Sequence, residues 1–217
     1  QAGQNINAWA MRMDGAFTVS PGTAATPELL ITGSGGFLKY ADNGSRINTH
    51  TVFGSVGTPT EALIFVNQNR LSFGNAGSSA TGVAALTVQP QLVGTRIIKG
   101  GGGILALESE QINAAASNGA ALAGWTGFQG DIVVNQGSLE LRSTLATSTV
   151  GGNAPTENNI ILNGPGVILQ LFGRGTNVTS TAVSGITTGN IDIATSFNNQ
   201  VTIASGVPLA NIIVNRQ

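Results

Sequence analysis

Short runs of alternating apolar and polar residues, separated by Gly, Asn and Ser, fill most of this chain. The clearest reads GDIVVNQGSLELR over residues 130–142, two strands at 132–134 and 139–141 about a turn at 135–137. Side chains two apart in a strand share a face, so Leu139 and Leu141 point one way and Glu140 and Arg142 the other. One face is therefore dry and the other wet, with Glu140 and Arg142 forming an exposed same-face ion pair. A second copy follows at 158–172. Ile160 and Asn163 stand 28 residues after Ile132 and Asn135, and the apolar pair recurs as Leu169 and Leu171.

The same pattern predicts strands at 16–19, 28–32, 37–40, 46–53, 62–66, 71–74, 83–88, 92–98, 104–107, 190–194, 200–204 and 211–214. Glycine-rich turns fall at 33–36 and 100–103. Ile191 lies 31 residues beyond Ile160, which makes the repeat loose, at roughly 28 to 34 residues. Only 111–123, rich in alanine, offers a helix, and its Asn113, Ser117 and Gly119 fit a projecting polar loop equally well. Trp9, Met11 and Met13 alternate, which places all three on one face of a strand or in an irregular cap. The motif is less regular before residue 54, so 1–53 is a candidate N-terminal cap on a single domain spanning 1–217, with the best repeats at 99–172.

Composition narrows the classes. Charged residues make up only 9% of the chain, hydrophobic residues 41%, and mean hydropathy is +0.20, a balance opposite to that of disordered chains. Glycine, at 31 of 217 residues, is about twice its ordinary share, as many tight turns require. A net charge of −1, with nine Lys and Arg spread singly, gives no electrostatic footprint for nucleic acid or an anionic membrane. The absence of cysteine removes disulfides, thiolate metal sites and cysteine nucleophiles. No apolar run reaches the ~18 residues of a membrane span. Residues 1–5 lack the basic start and apolar core of an export signal, so any such signal is expected to have been removed already.

One rung of this kind cannot offset the entropy of ordering its own backbone, so like rungs must stack and share a core. The expectation is an all-β fold, a right-handed parallel β-helix (β-solenoid) of about seven loose rungs. Asn135 and Asn163 occupy equivalent turns. They either stack their amides as a ladder or supply a left-handed turn conformation.

Residues 102–141 carry further detail. Gly102 and Gly103 precede Leu105-Ala106-Leu107; after a spacer come Trp125-Thr126-Gly127, the strand at 131–134, Asn135, Gly137 and Leu139-Glu140-Leu141. This order resembles the passenger-associated transport repeat of bacterial autotransporter passengers, and 158–171 match it in part. The resemblance implies a parallel β-helix exported to the cell surface. The family's C-terminal membrane barrel has no counterpart in Val214-Asn215-Arg216-Gln217.

Candidate chemistry is sparse. The carboxylates come singly except Glu108 and Glu110, which share a strand face and form either a metal or acid–base pair or a solvated rim. His50, the only histidine, stands between Thr49 and Thr51 without the Gly-x-Ser-x-Gly elbow of a hydrolase. The glycines at 100–103 lack the Gly-Lys-Ser/Thr end of a phosphate loop. Asn43-Gly44-Ser45 and Asn177-Val178-Thr179 match the glycosylation pattern.

The sequence thus points to a structural protein of the extracellular space or bacterial cell surface, with no enzymatic activity and no cofactor or metal. Its partner would be itself, in a head-to-tail homopolymer forming a fibre or matrix. Nucleic acid and membrane insertion are not expected. The assembly interface falls on Trp9, Met11, Met13 and Phe17 at one end and Ile212, Ile213 and Val214 at the other. An adhesin binding glycans through Asn, Thr and Trp125 is the alternative, and a polysaccharide-acting enzyme the third.

Overall fold

A computed structural model describes residues 5–19, 29–40, 44–47, 49–73, 92–107, 130–143, 159–173 and 200–216. The strands are β1 (Ile6–Met13), β2 (Thr18–Val19), β3 (Leu29–Lys39), β4 (Ser45–Ile47), β5 (His50–Phe53), β6 (Glu61–Val66), β7 (Arg70–Phe73) and β8 (Leu92–Val93). They continue as β9 (Arg96–Gly100), β10 (Ile104–Leu107), β11 (Asp131–Val134), β12 (Ser138–Ser143), β13 (Asn159–Leu162), β14 (Val167–Gly173), β15 (Gln200–Ile203) and β16 (Ala210–Arg216). Two sheets result. The first runs β15-β13-β11-β9-β6-β3-β5-β8, with β1 also on β3; the second runs β16-β14-β12-β10-β7-β4-β2.

The strand pairings between the described elements are parallel, and the repeat read from the sequence sets their register. Ile132 pairs with Ile160, Leu139 with Leu169 and Leu141 with Leu171. The chain passes from the first sheet to the second at short corners, each turned by one residue in the left-handed region: Asn69 (φ 56°), Gly101 (79°), Gly137 (68°) and Gly166 (69°). Backbone groups at the corners are satisfied by the neighbouring strand, as Asn135 N–H donates to Lys99 O (2.9 Å) and Asn163 N–H to Val134 O (2.8 Å). Asn163 Nδ2 donates to Asn135 Oδ1 at 2.7 Å, so the amides form the ladder; among the described residues Asn69 is the one non-glycine with positive φ.

Alternation builds the core. Ala62, Ile64, Ile97, Ile132, Val134, Ile160 and Leu162 of the first sheet face Leu71, Phe73, Leu105, Leu107, Leu139, Leu141 and Leu169 of the second, all buried in one cluster. Phe37, Phe53 and Phe73 meet edge to face, with centroids 5.5 to 6.2 Å apart. A separate small cluster gathers Leu29, Val52 and Val93, with Ile31 against it.

This architecture corrects the expected right-handed β-helix of about seven loose rungs. The described residues are all-β with parallel strands, but they make two sheets, one of them curled and branched. β3 carries β1 on one edge, while its other edge is divided between β5, at residues 29–32, and β6, at residues 36–39. Equivalent rungs would give each strand one partner per edge. Branching removes that equivalence and splits the buried residues into two clusters.

Three smaller expectations change with it. Residues 33–36 are not a turn: β3 runs through them with a register shift against β1, and Gly35 takes φ +70° where a Cβ would lie 2.0 Å from Glu61 O. The strand predicted over 92–98 breaks at Gly94-Thr95 into β8 and β9. β15 pairs its Val201 with Ile160 of β13, 41 residues earlier, so the spacing is looser than 28 to 34. The predicted strands at 83–88 and 190–194 and the segment 111–123 lie outside the described residues.

Candidate functional site

The core columns lead to the candidate site. In the first sheet Ile64, Lys99, Val134, Leu162 and Ile203 stand in register; in the second, Leu71, Leu105, Leu139, Leu169 and Ile212. Both columns are buried until their last member, where Ile203 is 52% and Ile212 49% exposed. β15 and β16 each have one neighbour among the described residues, so a fresh pair of strand edges lies beside an uncovered apolar end. Ile213 is exposed one position along, on the other face, and Val214 is paired with Leu171.

At the opposite end the sequence-predicted residues separate. Trp9 is the most exposed large apolar residue described, at 79%, and its ring lies over Gly33. Met11 is half-buried against the core and pairs with Phe37; Met13 lies inside the core. The register shift between Ala8 and Ala10 explains why Trp9 does not share the methionines' face. Phe17, beside β2, is exposed. It joins Ala16, Thr18, Gly44, Ser45, Arg46, Arg70 and Ser72 around a groove of about 410 Å³.

Among the described residues three charged side chains, Lys39, Lys99 and Glu140, are buried. Lys99 occupies an inward position, its stem in the core column and its Nζ donating to the carbonyls of Gly101, Gly103 (2.7 Å) and Gln136 (2.5 Å). Burial pushes its amine down to about 8. The three carbonyls tie together two successive corners, and Gly101 N–H returns a bond to Gln136 Oε1 at 3.1 Å. A lysine at an inward position just before a glycine corner was the available signal. Glu140, which alternation placed on the wet face, is buried and paired with Arg70, whose Nε also donates to Ser72 Oγ at 2.9 Å.

His50 is buried on β5, and burial lowers its imidazole to about 4. The folded state then holds it neutral, while the unfolded chain takes up a proton below pH ~6.5. Stability is therefore full above that pH and falls as pH drops through 6.5 toward 4, by about 2 kcal/mol between pH 7 and 5. Urea titrations at the two pH values should show this loss in the native chain and not in His50→Gln; equal losses in both would place the titrating group elsewhere.

Among the described residues no group of three or more His, Asp or Glu could hold a metal ion, and no helix is long and apolar enough to cross a membrane. Glu108, Glu110, Trp125, Asn43 and Asn177 lie outside the described residues. No family model, curated protein or solved structure matches the chain.

Proposed function

We propose that this is a structural protein that assembles end to end, each copy continuing the two parallel sheets of the next. The observation that carries the reading is the exposure of Ile203 and Ile212, core-column residues left uncovered beside the edges of β15 and β16. Soluble proteins guard such edges with charge, proline or a covering element, whereas β16 carries no charge before Arg216. The other end exposes Ile6, Trp9 and Phe17. Two unlike ends make a heterologous contact, which propagates as an open filament where rotation does not close a ring. An extracellular setting follows from the likeness of residues 102–141 to exported passenger repeats.

Light scattering across a concentration series tests this. Growing particles are expected for the native chain, and Ile212→Lys should hold it at monomer or dimer mass, because the ammonium would be buried without a partner at each junction. Native protein that never exceeds a dimer would overturn the proposal. A glycan-binding surface module is the second reading, favoured by the groove in which the Phe17 ring adjoins Arg46, Arg70 and the serine hydroxyls. Oligosaccharide binding without particle growth would support it instead.

A further inference from the structure

The outer face of the first sheet is unusual in being apolar. Leu63, Ile98, Val133 and Ile161 stand in one row across β6, β9, β11 and β13. Leu63 is 50% exposed, and beside it Phe65 is 43% exposed. Phe65 lies over Gly100, where a Cβ would approach its ring to 3.1 Å, so this glycine keeps the face flat. Along one margin runs a charged row of Glu61, Arg96 and Asp131. Arg96 reaches both carboxylates, at 3.7 and 3.4 Å. Asn159 extends the row at β13 without charge.

We propose that this face packs against the same face of a second copy, about a two-fold axis parallel to the strands and lying between β9 and β11. This lateral contact is independent of the end-to-end reading. An axis along the strands preserves position within a strand and reverses the order of strands, so each row meets itself running backwards. Placed between β9 and β11, it sets Arg96 against the second copy's Asp131, Glu61 against Asn159, Ile98 against Val133 and Leu63 against Ile161. Unlike charges meet and apolar groups meet. An axis through β9 would set Arg96 on Arg96 and Glu61 on Asp131; one through β11 would set Asp131 on Asp131. An axis between β6 and β9 would pair Glu61 with Arg96 but carry Ile161 past the opposing row.

Six strands at about 4.8 Å and five residues at about 3.3 Å give each copy roughly 500 Å² of contact, about 1,000 Å² for the pair, the lower bound for a specific interface. The parallel-axis arrangement also matches the aligned packing that twisted sheets adopt.

The test is a cysteine pair in a chain that has no cysteine of its own. In Leu63→Cys/Ile161→Cys, treated with a short bismaleimide, the full-length chain is expected to give a covalent dimer on a denaturing gel. Each single variant should stay monomeric, because the axis holds two copies of either position about three strands apart. The same dimer is expected in the Ile212→Lys background, where end contacts are blocked. Sedimentation should show Arg96→Asp weakening the dimer about tenfold or more, with Arg96→Asp/Asp131→Arg recovering most of the loss through the exchanged pair. Cross-linking by a single variant as efficient as by the pair, or loss of the dimer in the Ile212→Lys background, would overturn the proposed axis.

Discussion

Leu139→Asp is expected to leave the chain without a cooperative unfolding transition at any temperature. Leu139 is wholly buried, stacked between Leu105 and Leu169 in the second sheet and facing the isoleucines of the first. Losing its burial removes about 1.5–3 kcal/mol, and a carboxylate without a partner in that column adds several more. A domain of this size has about 5–15 kcal/mol in all. Leu63→Asp puts the same charge on the outer face, where the side chain is half exposed, and should keep a native-like transition. Near-ultraviolet circular dichroism and thermal melts distinguish the two. If both variants melt alike, the assignment of inner and outer faces is wrong.

That contrast shows which part of the fold is written locally. Period-two alternation decides a residue's face from its immediate neighbours, and a turn residue every half-repeat fixes where the chain leaves the strand. Hence Leu139 and Leu141 fall inside, the step from Ile132 to Ile160 is the pairing register, and the Asn135–Asn163 ladder follows from it.

What alternation cannot specify is the partner of each edge. The branching of β3, with β5 and β6 sharing one side, depends on strands that follow it by 20 residues or more, and it turned the expected succession of equivalent rungs into two sheets with one curled. The reading of Gly33 to Gly36 as a turn failed for a related reason. Glycines there permit a close approach to Glu61 O within a continuous strand, and composition alone does not separate that use from a turn. Of the candidate assembly residues, Ile212 gains its meaning only when the register shows it to be the last member of a buried column. Met13, chosen for its spacing from Trp9, is core because a register shift between them changes the face.

Glu140 is the sharpest case, and its removal is the second large expected effect. Alternation puts it on the wet face, where loss of the side chain would be silent. In the folded chain its carboxylate is 5% exposed and meets Arg70, a residue 70 positions earlier in the sequence. The reason is positional: Ser72, Ala106 and Glu140 stand side by side on β7, β10 and β12. The small Ala106 between them leaves room for the Arg70 guanidinium to cross β10, one nitrogen on Ser72 and another on Glu140. Breaking a buried pair costs about 3–5 kcal/mol because the remaining charge loses its opposite charge in a poorly hydrated site. The two deletions should differ. Arg70→Ala takes the guanidinium away from a carboxylate in a nearly closed site and is expected to lose the larger amount, whereas Glu140→Ala leaves a guanidinium that is 26% exposed and can take up water, at the lower end of that range. Arg70→Met/Glu140→Leu removes both charges at similar volume and should recover most of the stability lost by either single change. Chemical denaturation of the four proteins closes the cycle. A Glu140→Ala loss below ~0.5 kcal/mol, the size expected of an ordinary surface substitution, would return this carboxylate to solvent.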